Sequence, residues 1–165
     1  MIHYWEMGTA LLTDLYELTM LDAALSSGVA QRRATFEVFA RRLPPGRGYG
    51  VVSGPNRLAD LLADFTFSGE QLEYLAGLGR FSDELLSHVE SFRFEGDVWS
   101  YREGDLYVPG SPVLRVDCQF GAGLLLETLV LSVLNHDCAV ASAAARMHDV
   151  ADGRHLIEMG GRRTH

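Results

Sequence analysis

Two short segments of this 165-residue chain carry residue types that could handle a small anionic or aromatic ligand. The first is Thr13-Asp14-Leu15-Tyr16-Glu17. A tyrosine at a helix start can stack on a planar ligand or a partner subunit while its hydroxyl stays wet. The same residues also fit a plain capped helix, with Thr13 or Asp14 as the cap. The second segment is Gly160-Gly161-Arg162-Arg163-Thr164-His165, directly after Met159. Paired glycines let backbone approach a ligand closely, and adjacent guanidinium forks suit a phosphate or carboxylate at a strand's C-terminal end. A solvated basic tail has the same composition.

Other chemistries are closed by residue type. All 14 basic residues are arginine, which removes a Schiff-base lysine, a lysine base and a lysine-dependent phosphate loop. The histidines at 3, 88, 136, 148, 155 and 165 show no ligand spacing, so no metal site is expected. Cys118 and Cys138 form no CxxC pair and are expected to be free thiols. Cys118 and His136 are too isolated in pattern to suggest a dyad. A net charge of −8 argues against general nucleic-acid or anionic-membrane binding. The N-terminus lacks a basic start and an apolar core. The longest apolar stretch, 124–134, is interrupted by Glu127, Thr128 and Ser132 and falls short of the roughly 20 residues of a bilayer span. A cytoplasmic protein is expected.

These residues need elements to hold them. Apolar spacing predicts a helix over 13–26, stopped at Gly28. Residues 34–43 alternate as a strand with Phe36, Val38 and Ala40 on one side; Pro44, Pro45, Gly46 and Gly48 break it, and 49–53 returns as a strand. Helices are predicted over 55–63, 68–77 (with a Ser68/Gln71 capping box) and 82–91. Strands follow at 97–101, 105–108 and 112–119, the first two joined by a tight turn at Glu103-Gly104-Asp105, as a continuation of the sheet begun at Ala34. A long helix then runs over 121–150 with a possible break at 135–137. Its first half is apolar nearly all round, as in a helix buried between layers. Gly153 ends it, and 155–159 is predicted as a short strand. A helix followed by a strand is how an α/β layer or barrel begins, so the chain is expected to stop at such a beginning. No internal repeat or low-complexity segment occurs.

Four segments in order, TDLYELTM (13–20), FEVFARRLPPGRGYGVVSG (36–54), LLLETLVLSVLNHDCAVASAAARM (124–147) and IEMGGRRTH (157–165), resemble the N-terminal part of the nicotinate phosphoribosyltransferases. The resemblance implies an α/β fold: a sandwich domain over 1–119, then the long helix and first strand of an irregular α/β barrel over 120–165. It implies type II phosphoribosyl transfer in a head-to-tail homodimer with shared sites. Nicotinate and 5-phosphoribosyl diphosphate give nicotinate mononucleotide and diphosphate, with Mg²⁺ and ATP hydrolysis coupled. Tyr16 matches the aromatic residue that stacks on the pyridine from the neighbouring subunit. Arg162 matches the arginine near the ring carboxylate and ribose phosphates, and Arg163 the basic residue beside it. Asp14 fixes the helix start near the site.

The resemblance has three departures. Met159 stands where relatives often carry an aromatic, so a thioether would replace a ring on the pyridine's second face. His165 is not the family's phosphorylated histidine, which lies further along. Relatives are also much longer, so the chain by itself is expected to be inactive. Alternatives are a non-catalytic dimerisation or interaction module, and a relative specific for nicotinamide or quinolinate.

Overall fold

A computed structural model describes residues 9–160. A short 3₁₀ turn, Thr9–Leu11, leads into α1, Leu15–Ser26, whose N-cap is Asp14. Strand β1, Arg33–Phe39, alternates as its sequence demands, with Ala34, Phe36 and Val38 turned inward. The predicted strand extended to 43. The ladder instead slips register between Val38 and Phe39 and ends at the Phe39–Pro112 pair, and Pro44 and Pro45 beyond cannot extend it.

Strand β2 is only Gly50–Val51. Helices α2 (Pro55–Ala63), α3 (Gly69–Gly77) and α4 (Asp83–Glu90) then occupy their predicted spans. The Ser68 capping box forms as its three-residue spacing requires: the Ser68 amide donates to Gln71 Oε1 at 2.9 Å, and the Gln71 amide to Ser68 Oγ at 3.3 Å. Strands β3 (Gly96–Ser100), β4 (Leu106–Tyr107) and β5 (Pro112–Gln119) follow, then α5, Phe120–Ala151.

The main sheet has order β1-β5-β3, antiparallel throughout, with Phe36 and Val98 both opposite Val116. β4 was expected beside β3. The turn at 102–105 is present, closed by the Asp105 amide on the Arg102 carbonyl at 3.0 Å, but it sends β4 away to pair with β2 in a second sheet. Val52 receives this turn, taking the Gly104 amide on its carbonyl and giving its own amide to Asp105.

Leu114, Val116 and Cys118 of β5 face α5, while Arg115 and Asp117 on the other side form an ion pair at 3.0 Å. Helix α5 packs on α1, α2, β1, β2 and β5, and its first half fills the core with Leu124, Leu125, Leu126, Leu129, Val130, Val133 and Leu134. Its 32 residues make it long and apolar enough to cross a bilayer by length and composition, a span the interrupted 124–134 stretch did not suggest; most apolar residues of its first half are spent inside this protein's own core.

α5 does not break at 135–137. His136 and Asp137 turn outward on its flank, where Asp137 takes both Nε and Nη2 of Arg57 from α2 at 3.0 and 2.9 Å, so these polar residues dock a neighbour instead of ending the helix. The strand predicted at 155–159 does not form: the segment runs without regular structure, Ile157 is 84% exposed, and among the described residues no strand lies beside it to complete a ladder. Cys118 and Cys138 are free and buried.

Candidate functional site

The first turn of α1 is tied down from within. Glu17 Oε2 accepts the Asp14 amide at 2.9 Å and the Thr13 hydroxyl, which fixes where the helix begins. Glu17 itself is fully buried against α5, while Tyr16 beside it is 45% exposed. Partial burial, then a hydrogen bond to Glu127 and the negative charges of Glu127, Glu17 and Asp14, push the Tyr16 phenol up to about 12. The phenol is therefore neutral at physiological pH beside Glu127, and its ring is left facing a cleft.

That cleft holds about 1220 Å³ and lies between the start of α1, the loop after β1, the middle of α5 and the small β2–β4 sheet. Asp14, Tyr16 and Glu127 form one wall. Arg41, Arg42 and Arg47 come from the Pro44-Pro45 loop opposite, and Arg146 rises from the far end of α5. The three loop arginines are exposed, with forks free to take an incoming anion. Arg146 is more constrained: its Nη1 donates to the Tyr49 carbonyl at 3.4 Å, and its guanidinium lies 5.7 Å from the Tyr49 ring centre. A chain with net charge −8 has thus gathered four cations around one cavity.

The floor is made where β2 docks on α5. Ser142 Oγ takes the Val51 amide at 2.8 Å. The Cys138 thiol donates to the Ser53 carbonyl at 3.3 Å and receives the Ser53 amide at 3.4 Å. Burial pushes the Cys138 thiol above its ordinary range, which suits a structural group and not a nucleophile. Gly50 lets the Tyr107 ring lie against it, because a Cβ would stand 2.2 Å from that ring and push it aside. Among the described residues no group of three His, Cys, Asp or Glu side chains is placed to hold a metal ion.

Of the residues singled out in the sequence, Asp14 and Tyr16 meet in this cleft. Met159 is exposed and Gly160 buried, and neither lines it. Gly161, Arg162, Arg163 and His165 lie outside the described residues. Sequence reasoning gave no role to Glu127, Thr128, Arg41, Arg42, Arg47 or Arg146. The signal for the loop arginines was available in ARRLPPGR, three cations within a proline–glycine turn that cannot bury them.

Residues 11–135 match the family model described as the nicotinate phosphoribosyltransferase N-terminal domain. The chain belongs to the nicotinate phosphoribosyltransferase family. It is 59% identical over 156 residues to a nicotinate phosphoribosyltransferase of Mycobacterium tuberculosis, covering 94% of this chain and 34% of that protein. With the Bacillus subtilis nicotinate phosphoribosyltransferase the identity is 31%, over 94% of this chain and 32% of the relative. The crystal structure of human nicotinic acid phosphoribosyltransferase superposes with a TM-score of 0.83 at 32% identity, over 93% of this chain and 31% of that one. A nicotinate-nucleotide pyrophosphorylase from Pyrococcus furiosus, 20% identical, shares the fold over the whole chain and 35% of its own, with a TM-score of 0.72. The chain thus spans about a third of the length of the phosphoribosyltransferases it matches. The family match runs through the first half of α5, in keeping with the place of that half in the core.

Proposed function

We propose that this chain supplies the pyridine-stacking and phosphate-facing wall of a nicotinate phosphoribosyltransferase site, in which nicotinate and 5-phosphoribosyl diphosphate give nicotinate mononucleotide and diphosphate. One observation carries the reading: the exposed face of Tyr16 and the forks of Arg41, Arg42 and Arg47 open into the same cleft. An aromatic face suits a pyridine, and guanidinium forks suit a diphosphate.

In this reaction the pyridine nitrogen forms a bond to the anomeric carbon as the bond to the diphosphate oxygen breaks, and the electron pair leaves with the diphosphate. Positive charge develops on the ribosyl centre. The protein's task is to align ring and sugar and to hold the departing polyanion, and such positioning with electrostatics provides most of the rate in related phosphate chemistry. Tyr16, its phenol neutral beside Glu127, presents its ring to the cleft. The loop arginines stabilise the charge that collects on the leaving group.

The site is read as shared between two copies of the chain. That reading rests on the family resemblance of the Tyr16 segment, whose aromatic residue would serve the neighbouring subunit's site. Mg²⁺ and ATP are proposed only as companions of the substrate. A magnesium ion would accompany the diphosphate whose charge it neutralises, and the arginine-rich end of the cleft would suit a second polyphosphate.

The test is a graft. Residues 1–165 replace the matching segment of the 59%-identical relative, and product formation is followed with nicotinate, nicotinamide and quinolinate. Formation of nicotinate mononucleotide, with little turnover of the other two rings, is expected. A folded graft that makes no product, or prefers another ring, would overturn the proposal and favour the module reading or a different ring specificity.

A further inference from the structure

Glu17 is fully buried, yet its carboxylate is matched on both oxygens. Oε1 accepts the Thr128 amide at 3.0 Å and the Thr128 hydroxyl at 2.7 Å; Oε2 accepts the Asp14 amide at 2.9 Å and the Thr13 hydroxyl. A carboxylate removed from water is costly unless its lone pairs are satisfied, and a well-packed apolar side chain commonly serves stability as well or better. Stability alone gives no reason for a charge at this place. Geometry gives one. The Thr128 amide sits within α5, at a point where a helix normally closes on itself, and here it reaches across to α1.

The contacts come in adjacent pairs. Tyr16 and Glu17 are consecutive in α1, and Glu127 and Thr128 consecutive in α5; Thr128 grips Glu17 inside, while Tyr16 and Glu127 share the cleft wall outside. The buried pair fixes the rotation of the first turn of α1 about its own axis, and that rotation decides whether Tyr16 faces the cleft. We infer that Glu17, clamped by Thr128, is a positioning residue that holds the Tyr16 ring in register with the pyridine. The inference rests on the reading of Tyr16 given above.

The experiment uses the graft for kinetics and the 165-residue chain itself for spectroscopy. Glu17→Gln and Thr128→Val should each raise the nicotinate KM roughly five- to tenfold, with kcat and the KM for 5-phosphoribosyl diphosphate within about twofold of the parent. Thr128→Ser, which keeps the hydroxyl, should restore the parent value. In a Tyr16→Ala background Glu17→Gln should have no further effect on the nicotinate KM, because the ring it positions is gone. In the substrate-free chain the Tyr16 ring resonances should shift in Glu17→Gln and Thr128→Val, while those of the buried Phe65 and Phe92 stay in place.

An equal rise in KM with and without Tyr16, a parallel change for both substrates, or unmoved Tyr16 resonances would overturn the inference. If Tyr16→Ala leaves the nicotinate KM unchanged, the ring-stacking reading falls and takes this inference with it. If Tyr16→Ala acts and Glu17→Gln does not, this inference alone falls. Should Glu17→Gln fail to fold, Thr128→Val carries the same comparison.

Discussion

Tyr16 combines two properties that separate cleanly on substitution. Its ring area and quadrupole survive in Tyr16→Phe, and the hydroxyl beside Glu127 does not. In the grafted enzyme Tyr16→Phe should raise the nicotinate KM about twofold or less, whereas Tyr16→Ala should raise it about tenfold, a ratio read from steady-state kinetics. The same phenol leaves a mark on alkaline stability. Folding favours its neutral form, so its contribution is complete below pH 10 and is lost as pH rises towards 12. A 295 nm titration of folded Tyr16→Phe should lack one late-titrating tyrosine. Asp137 has the opposite sign. Burial alone would raise its carboxyl, but hydrogen bonds from Arg57 and His136 and their charges hold it below the usual range. Its stabilisation is present above its ordinary value near 3.8 and fades as pH falls below it. Asp137→Ala should cost about 1–2 kcal/mol at pH 7, the modest size reflecting a partly exposed Arg57, and should flatten the acid limb of a denaturant series run against pH.

At the scale of elements, the contact between β1 and α5 depends on a missing side chain. A Cβ on Gly123 would stand 2.1 Å from the Phe36 ring, which is itself stacked on Phe120 at 6.2 Å. Gly123→Ala gains about 1 kcal/mol of helix propensity and loses more to overpacking, so a net loss of about 1 kcal/mol is expected in chemical denaturation. Phe36→Leu made together with it should recover part of that loss. Much at this scale was legible in the sequence, because it is local: the apolar spacing of α2 and α4, the Ser68/Gln71 box and the alternation of β5 are each fixed by a few neighbours. Pairing is not local. Nothing in the residues of β4 says that it will leave β3 for β2, since that depends on Val52 being within reach of the turn at 102–105. The predicted strand at 155–159 failed for a related reason: alternation describes a face, and a strand also needs a second strand to bond. In the site, Tyr16 and Asp14 were legible through their motif, and the arginines of ARRLPPGR through composition. Glu17 reads locally as part of a helix start, and its other partner, Thr128, lies 111 residues away.

For the whole molecule, the cleft is a wall and not an enclosure. It leaves Arg41, Arg42 and Arg47 open to water, where a phosphate would be weakly held and a reacting ribosyl centre unprotected. The 165-residue chain by itself should therefore form no nicotinate mononucleotide above blank in a sensitive discontinuous assay. The apolar surface follows the same logic. Val140, Met147 and Val150 on the distal half of α5 and Leu156, Ile157 and Met159 beyond it are all more than half exposed. Surface of this kind is seldom left bare in a monomer. Sedimentation of the isolated chain should show concentration-dependent association, and Met147→Glu combined with Ile157→Glu should reduce it; a monodisperse monomer across the micromolar range would contradict this.

Strand β5 passes into α5 without a loop, and the first helical amides, Phe120 and Gly121, are taken by the carbonyls of Arg32 and Ala30 at 2.8 and 2.9 Å. Mechanically this makes α5 a beam about 48 Å long, built in at its root by the sheet and by the leucines of its first half and propped further along, where Ser142 holds the Val51 amide, Arg146 the Tyr49 carbonyl and Asp149 the Tyr49 hydroxyl. A tilt of about 5° where the leucines end would carry the tip, roughly 24 Å further on, through about 2 Å, and those props oppose it. Arg146 and the residues up to Ala151 ride on that beam, so a cavity made at Leu129, deep in the built-in part, should load the props and be felt as displacement at Arg146 before it is felt as unfolding. Spin labels at Glu37 and His148 would read it as a broadened or shifted distance distribution in Leu129→Ala, under conditions where the chain is still folded.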